Sequence, residues 1–169
     1  MAPGGARGAN ARKLGDHNPH PKERTMKLLL PIDGSERALE AVHLALRMVR
    51  GGLRADIVLA NVQAPPSLYE VVVAHDAEVI REVSEAAAAH SLEAAQVLLR
   101  TAGVPHTTEV DSGDPGHVIA EMAERLGCDM LILGSHDSGA LRGATLGTVA
   151  AALVHLGKWP VLIAGPPEA

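Results

Sequence analysis

The residues best suited to bind a ligand lie in two polar segments, each of which directly follows a run of apolar residues. Asp33, Gly34 and Ser35 follow the first such run, and the glycine-rich segment 134–148 follows the fourth. A carboxylate at the end of a strand can accept hydrogen bonds from a ribose or an exocyclic amine, and glycines let a ligand approach the backbone closely. A helix that begins at Gly147 would offer unpaired N–H groups to an anion. This combination of groups suits a nucleotide.

Each segment also has an explanation that needs no ligand. Asp33, Gly34 and Ser35 can form a turn and a helix cap, and Gly134 can be a residue that the end of a strand requires. Taken singly, these structural explanations are the stronger ones. A ligand site is favoured because the predicted topology brings both segments to one edge of a sheet.

Motifs of catalytic and metal sites are weak or absent in the sequence. The run 135–138 contains Ser, His and Asp, but neighbours in sequence rarely converge as a triad, and there is no G-x-S-x-G elbow. Gly143 is followed by Ala and Thr rather than by Lys and Ser or Thr, so the chain has no P-loop. The nine histidines form no H-E-x-x-H motif and no Cys/His pair with ligand spacing. We therefore predict no catalytic residue and no metal ligand.

Short apolar runs alternate with longer amphipathic segments along the chain. This pattern predicts strands at 27–33, 55–62, 106–111, 128–134 and 160–165, and helices at about 35–50, 76–102, 115–127 and 147–156. Strands that are separated by helices are parallel, and right-handed crossovers place helices on both faces of the sheet. The prediction is an α/β protein with a doubly wound, five-stranded parallel sheet.

The order of the strands follows from how apolar each one is. The first and fourth strands are the most continuously apolar and should be central, whereas the polar third strand should lie at an edge. This indicates the order 3-2-1-4-5. In that order the winding direction reverses between the first and fourth strands, and the loops after them separate to form a crevice. The two polar segments would meet at that crevice.

Length and charge limit the classes of protein that the chain can be. Its 169 residues fit one domain, with a core of aliphatic residues because there is no Phe, one Tyr and one Trp. Residues 1–25 lack apolar periodicity and are predicted to be a disordered tail before a domain at 26–169. The tail has five Lys or Arg and two acids, which leaves ten basic and eighteen acidic residues in the domain. An acidic domain without aromatic platforms argues against binding to nucleic acids.

Cysteine usage and hydropathy indicate the cellular compartment. The single cysteine, Cys128, cannot form an internal disulfide. No apolar run approaches the roughly 20 residues of a membrane helix, and the tail lacks the apolar stretch of a secretory signal. The sequence predicts a cytoplasmic protein that does not enter a membrane.

The chain from 26 to 164 resembles the universal stress protein family. The resemblance rests on LPIDGS at the first strand, ANV at the second, SGDP before the third helix, and LILGS, GT and PVLIA towards the end of the chain. It implies a doubly wound fold of the adenine nucleotide alpha hydrolase-like type. It also implies a homodimer that forms through the last strand, 160–165, because family members commonly pair there.

The family's nucleotide-binding branch has a pattern that the last loop partly matches: Gly, two residues, Gly, nine residues, Gly, then Ser or Thr. Gly134, Gly147 and Thr148 match it, and Asp137 stands in place of the second glycine. Members with the full pattern bind ATP, so the resemblance implies ATP, alone or with Mg²⁺, as the ligand. The residues implied to line its site are Pro31, Ile32, Asp33, Val62, Leu133, Gly134, Ser135, Asp137, Gly147, Thr148 and Val149.

The resemblance also implies which part of the nucleotide each of these residues would contact. Asp33 and the backbone of Val62 would hold the adenosine part. Leu133 and Gly134 would lie beneath the ribose and phosphates, and the turn 147–149 would hold the phosphates.

Asp137 weakens this inference for two physical reasons. Its side chain occupies space that glycine leaves open, and its charge would repel phosphates by about 1–4 kcal/mol at a few ångström. Gly139, Arg142 or a divalent ion held by Asp137 could compensate.

Three functions therefore remain open from the sequence. The first is a nucleotide-binding regulatory protein with little or no turnover, whose ligand alters a dimer surface or the loop 63–75. The second is a member of the same fold that binds no nucleotide and acts through protein–protein contacts. The third is a slow ATPase, for which no convincing base is visible.

Overall fold

The computed structural model of the protein describes residues 24–65, 77–135 and 147–165. Strands and helices alternate through these residues, as the apolar pattern predicts. The elements are β1 (Met26–Pro31), α1 (Glu36–Arg50), β2 (Ala55–Gln63), α2 (Ala77–Thr101), β3 (His106–Ser112), α3 (Pro115–Leu126), β4 (Met130–Gly134), α4 (Thr148–Leu156) and β5 (Val161–Ala164).

The five strands form one parallel sheet in the order β3-β2-β1-β4-β5. The predicted fold class and strand order are confirmed. β1 is central, and its residues Leu28, Leu29 and Leu30 are fully buried. β3 is at one edge, and most of its side chains are exposed. The winding direction reverses between β1 and β4, as expected for a doubly wound sheet.

Helices cover both faces of the sheet and create two apolar layers. On one face α1 and α2 pack through Val42, Leu46, Leu92 and Leu99. On the other face α3 and α4 pack through a second set of buried side chains, which includes Ile119, Met122, Ala150 and Leu153, against Leu29, Leu131 and Leu133 of the sheet. The loop after β1 thus leads to one face, and the chain after β4 leads to the other.

The fourth strand begins two residues later than the sequence predicts. Gly127 ends α3 in the left-handed conformation, with φ of 64°. The N–H of Cys128 then donates to Ala123 O at 2.9 Å, and this bond completes the helix cap. Because this N–H is used by the helix, Cys128 is not part of the sheet ladder, and β4 starts at Met130.

α2 is longer than the sheet that it covers. Its buried residues begin at Ala88, and the described side chains in 78–87 are exposed or half-buried. Ser91 lies beside Gly34, at the carboxyl edge of the sheet. At about 1.5 Å per residue, the first half of α2 therefore extends up to about 20 Å past that edge.

The amino edge of the sheet is held by a cluster around Asp129. Asp129 Oδ2 accepts from the backbone N–H of Lys27 at 2.9 Å, and its other oxygen accepts from Arg24. Lys27 Nζ donates to Leu126 O at 3.0 Å, at the end of α3. Arg24 belongs to the predicted tail, of which residues 1–23 lie outside the described residues. The tail and its boundary stay a prediction.

In the part of the chain that the structure describes, no helix is both long and apolar enough to cross a bilayer.

Candidate functional site

The turn after β1 holds Asp33 at the carboxyl edge of the sheet. Asp33 Oδ1 accepts from the backbone N–H of Ser35 at 2.9 Å and from its hydroxyl at 2.6 Å. The Ser35 hydroxyl in turn accepts from Ala38 N–H at 3.2 Å and caps α1, as predicted. The turn thus engages one carboxylate oxygen, and Asp33 remains exposed.

α2 supports this turn from the side. Gly34 has φ of +86°, a conformation that favours glycine. A Cβ at Gly34 would lie 3.2 Å from both Cα and Oγ of Ser91. The long helix therefore lies directly against the turn that carries Asp33.

β2 presents its backbone to the same edge through an arrangement around Asn61. This side chain is only 2% exposed, and its Nδ2 donates to Ile32 O at 2.7 Å while its Oδ1 accepts from Gln63 Nε2. Ile32 N–H donates to Ala60 O at 2.7 Å, so the backbone groups of the even-numbered residues of β2 point towards β1. The N–H of Val62 therefore points towards the end of β1. At that end, the side-chain amide of Asn61 donates a hydrogen bond to the Ile32 carbonyl.

The end of β4 lies under the first turn of α1. A Cβ at Gly134 would lie 2.0 Å from Arg37 O and 2.9 Å from Ala38 Cα, which the backbone cannot accommodate. Glycine is thus required here by the packing of α1 on β4. The requirement for glycine at the end of β4 is therefore structural, as one of the two explanations from the sequence proposed, and it holds whether or not a ligand lies nearby.

Ser135 follows Gly134 and continues the ladder with β5. Its N–H donates to Ala164 O at 2.7 Å. Its Oγ is a buried atom with no hydrogen-bond partner. The residue as a whole is half-buried, at the same edge as Asp33.

α4 begins without a side-chain cap. Gly147 is its N-cap residue with extended backbone, and Gly147 O accepts from Ala151 N–H at 2.9 Å. Thr148 is exposed, whereas Val149 is half-buried against the core. Because the N-cap residue is a glycine, it offers no side-chain oxygen to the first N–H groups of the helix, and these groups carry a partial positive charge at this edge.

The predicted site residues differ in what they can offer a ligand. Ile32 and Leu133 are core residues, 2% and 6% exposed, so only their backbones can reach a ligand. Pro31 is half-buried and pairs with Ala60 in the sheet. Asp137 lies outside the described residues. The ends of β1, β2 and β4 are adjacent in the sheet, and α4 starts at the same edge on the face opposite α1.

Two residues at this edge were missed by the sequence analysis. Asn61 could have been noticed as the only amide inside the apolar run 57–62. Ser91 has no local signal, because its importance depends on where α2 crosses the turn. Among the described residues, no group of three or more His, Cys, Asp or Glu side chains could hold a metal ion.

Two surface grooves among the described residues lie elsewhere in the molecule. A groove of about 610 Å³ runs between the C-terminal halves of α1 and α2, at the amino edge of the sheet. A smaller one of about 380 Å³ lies along α3. The first is lined by Glu40, His43, Leu46, Arg47, Arg50, Leu98, Thr101 and Ala102, and none of these belongs to the turn of Asp33 or to the start of α4.

Comparison with known proteins gives consistent matches over most of the chain. A universal stress protein of Methanocaldococcus jannaschii is 25% identical over 142 residues, which are 84% of this chain and 83% of the relative. A universal stress protein family protein of Arabidopsis thaliana has been solved with AMP bound. It superposes with a TM-score of 0.61 at 23% identity, and the match covers 85% of this chain and 93% of the other chain.

A universal stress protein solved in complex with cAMP has a TM-score of 0.58 at 21% identity, with 83% of this chain and 97% of the other covered. These structural neighbours share the adenine nucleotide alpha hydrolase-like fold, as the sequence resemblance implied. The profile of the universal stress protein family matches residues 25–165. The chain therefore belongs to the universal stress protein family.

Proposed function

We propose that this protein binds an adenine nucleotide, with ATP as the expected ligand, in the crevice between the ends of β1 and β4, and that it acts as a regulatory protein with little or no turnover. One observation carries the proposal. An exposed carboxylate, Asp33, and a helix start without a cap, Gly147, lie at the same edge of the sheet on either side of its switch point. This is where ligands of open α/β sheets bind.

The groups at this edge fit the parts of a nucleotide. The free oxygen of Asp33 can accept from a ribose hydroxyl or an exocyclic amine. The backbone of Val62 points to the same region and can bond an adenine edge. The first N–H groups of α4, at Thr148 and Val149, can bind a phosphate. The relatives solved with AMP and with cAMP support an adenine nucleotide as the class of ligand.

The experiment that tests the proposal begins with native mass spectrometry of freshly purified protein, which should retain an adenine nucleotide. Calorimetry with Mg-ATP, ATP alone and AMP then measures affinity and whether Mg²⁺ contributes. A protein that purifies empty and shows no heat of binding with any of the three would refute the proposal. Asp137→Gly should raise the affinity if this carboxylate repels the phosphates.

A second candidate is a protein that acts through protein–protein contacts without a nucleotide. The exposed apolar side chains of Val154, Leu156 and Ile163, on α4 and β5, favour it. They also support the homodimer through β5 that we propose for either function. An empty protein that is still a dimer in light scattering would favour this candidate.

Two finer points of the proposal are tested separately. Release of inorganic phosphate from ATP, measured with purified protein, would indicate the slow ATPase rather than a binding protein. The cytoplasmic location is supported by the single cysteine and is checked by cell fractionation.

A further inference from the structure

The outer face of α2 carries a stripe of apolar side chains that the fold does not bury. The helix packs on α1, β2 and β3, and its inner face holds the buried residues Leu92, Ala95 and Leu99. In a helix that covers a sheet, the opposite face is normally polar. Here that face instead presents exposed residues at spacings of three or four positions: Val79, Val83, Ala86, His90, Ala94 and Val97.

The large members of this stripe are concentrated rather than scattered. Val79, Val83 and Val97 are 46%, 65% and 48% exposed, and they are three of the seven large apolar side chains that are exposed in the described part of the chain. Eighteen residues make five turns of helix, so Val79 and Val97 point in the same direction at the two ends of about 27 Å of helix. Single apolar residues are ordinary on a surface, whereas a continuous apolar strip marks a site of interaction.

Two opposite charges lie on one side of the stripe, near its two ends. Glu82 and Arg100 are also five turns apart, so both lie on the same side of α2 at a separation of about 27 Å. Both side chains are exposed, and neither forms an ion pair with another described residue. They are too far apart to pair within one chain, but they are placed to pair between two chains.

We propose that the outer face of α2 is an interface between two copies of this chain, in which the two helices pack antiparallel about a two-fold axis. An arrangement centred near residue 88 sets Val79 beside the partner's Val97 and Val83 beside the partner's Ala94. It also brings the two flanking charges together, because helical side chains lean towards the start of their own helix. The two-fold axis forms that ion pair twice. A parallel arrangement would instead set each charge against its own copy.

This interface is separate from the edge strand β5. α2 covers the half of the sheet that contains β2 and β3, whereas β5 is at the opposite edge. Both surfaces can therefore be occupied at once. The stripe is narrower than a standard interface, so we expect it to be the weaker contact, one that joins dimers at higher concentration. The inference does not depend on the binding of a nucleotide.

Reversal of the two charges tests the interface. Glu82→Arg and Arg100→Glu should each weaken this association by roughly tenfold to a hundredfold, because each variant sets like charges against each other at two places. The double variant Glu82→Arg/Arg100→Glu forms both ion pairs again and should recover the wild-type dissociation constant. Analytical ultracentrifugation over a range of concentrations measures these constants. Since the two residues cannot touch within one chain, recovery can arise only between chains.

A change in the stripe itself gives a second readout. Val83→Glu places a charge among the apolar side chains and should abolish the association, while circular dichroism shows an unchanged fold. Val110→Glu is the matched control, because Val110 is 46% exposed but belongs to β3, and this variant should associate like the wild type.

Several results would overturn the inference. A wild-type protein that shows no association, or only an association that the α2 variants leave unchanged, would place any interface elsewhere. A double variant as weak as the two single ones would contradict the antiparallel arrangement. An equal loss in Val110→Glu would show that the effect of Val83→Glu is not specific to α2.

Discussion

The two carboxylate oxygens of Asp33 have different surroundings: one is bonded within the turn, and the other faces solvent. Oδ1 receives both hydrogen bonds from Ser35 and so fixes the turn that leads into α1. In the described part of the chain Oδ2 has no bond, and the residue is exposed. A substitution that keeps the first oxygen and removes the charge can therefore separate ligand binding from turn formation.

We expect Asp33→Asn to lower the affinity for adenosine and for ATP alike, by about tenfold or more, because a hydrogen bond to a charged acceptor is lost. Asn retains Oδ1 and can keep both bonds from Ser35, so the melting temperature should change little. Calorimetry measures the first effect and thermal unfolding the second. Asp56→Asn, an exposed position at the opposite edge of the sheet, is the matched control. Unchanged affinities in Asp33→Asn would remove Asp33 from the site.

Gly134 makes a prediction about stability that needs no ligand. The Cβ of an alanine would lie 2.0 Å from Arg37 O, so α1 and β4 would have to separate. We expect Gly134→Ala to lower the free energy of unfolding by about 3 kcal/mol or more, at the upper end of overpacking effects. Urea unfolding measures this change.

The control for Gly134→Ala is Gly165→Ala, directly after the neighbouring strand β5 at the same edge. The nearest contact of its Cβ would be an ordinary 3.8 Å, so the expected change is within about 0.5 kcal/mol. Equal stability of the two variants would contradict the packing that we describe between α1 and β4.

At the scale of elements, β5 is an edge strand, and no strand among the described residues pairs with its outer side. Its inner side is defined by two bonds, from Leu131 N–H to Pro160 O and from Ser135 N–H to Ala164 O. Backbone groups alternate in a parallel ladder, so the N–H groups of Val161 and Ile163 point outwards. Ile163 is 40% exposed and carries no charge that would discourage a second strand.

We expect Ile163→Pro to convert the proposed dimer to a monomer, because proline removes an outward N–H but leaves the bonds between β4 and β5 intact. Light scattering measures the mass, and circular dichroism checks that the variant is folded. Ile163→Ala is the control, since it shortens the side chain and keeps the N–H. A folded Ile163→Pro variant that remains a dimer would place the interface elsewhere.

Most of this architecture could be predicted from the sequence, because burial of whole strands leaves long apolar runs. The ends of elements were less predictable: Cys128 continues an apolar run, yet its N–H completes the cap of α3. The overhang of α2 could not be inferred, since helical periodicity does not reveal where a sheet ends. At the site, Asp33 and Ser35 follow from local turn chemistry, whereas Ser91 depends on a tertiary contact.

At the scale of the whole molecule, the reactivity of the Cys128 thiol depends on whether the protein is folded. It is 7% exposed and lies between α3 and β4, at the edge opposite the candidate site. Burial is the main cause that raises the pKa of its thiol, with a smaller effect in the same direction from Asp129 and an opposing one from Lys27. Both the burial and the raised pKa oppose formation of an accessible thiolate, which is the reactive species.

We therefore expect Cys128 to react with a disulfide reagent far more slowly than a free thiol, at a rate that rises with urea in parallel with global unfolding. Rapid labelling without urea would instead reveal local opening between α3 and β4, since the thiolate would then form without unfolding of the sheet.

Because the pKa of the Cys128 thiol is higher in the folded state, the folded chain holds this proton more tightly than the unfolded chain does. The resulting stabilisation is complete below the unfolded-state pKa of about 8.5 and declines as the pH rises through the folded-state pKa. In Cys128→Ala this loss should disappear from the alkaline side of a plot of the free energy of unfolding against pH.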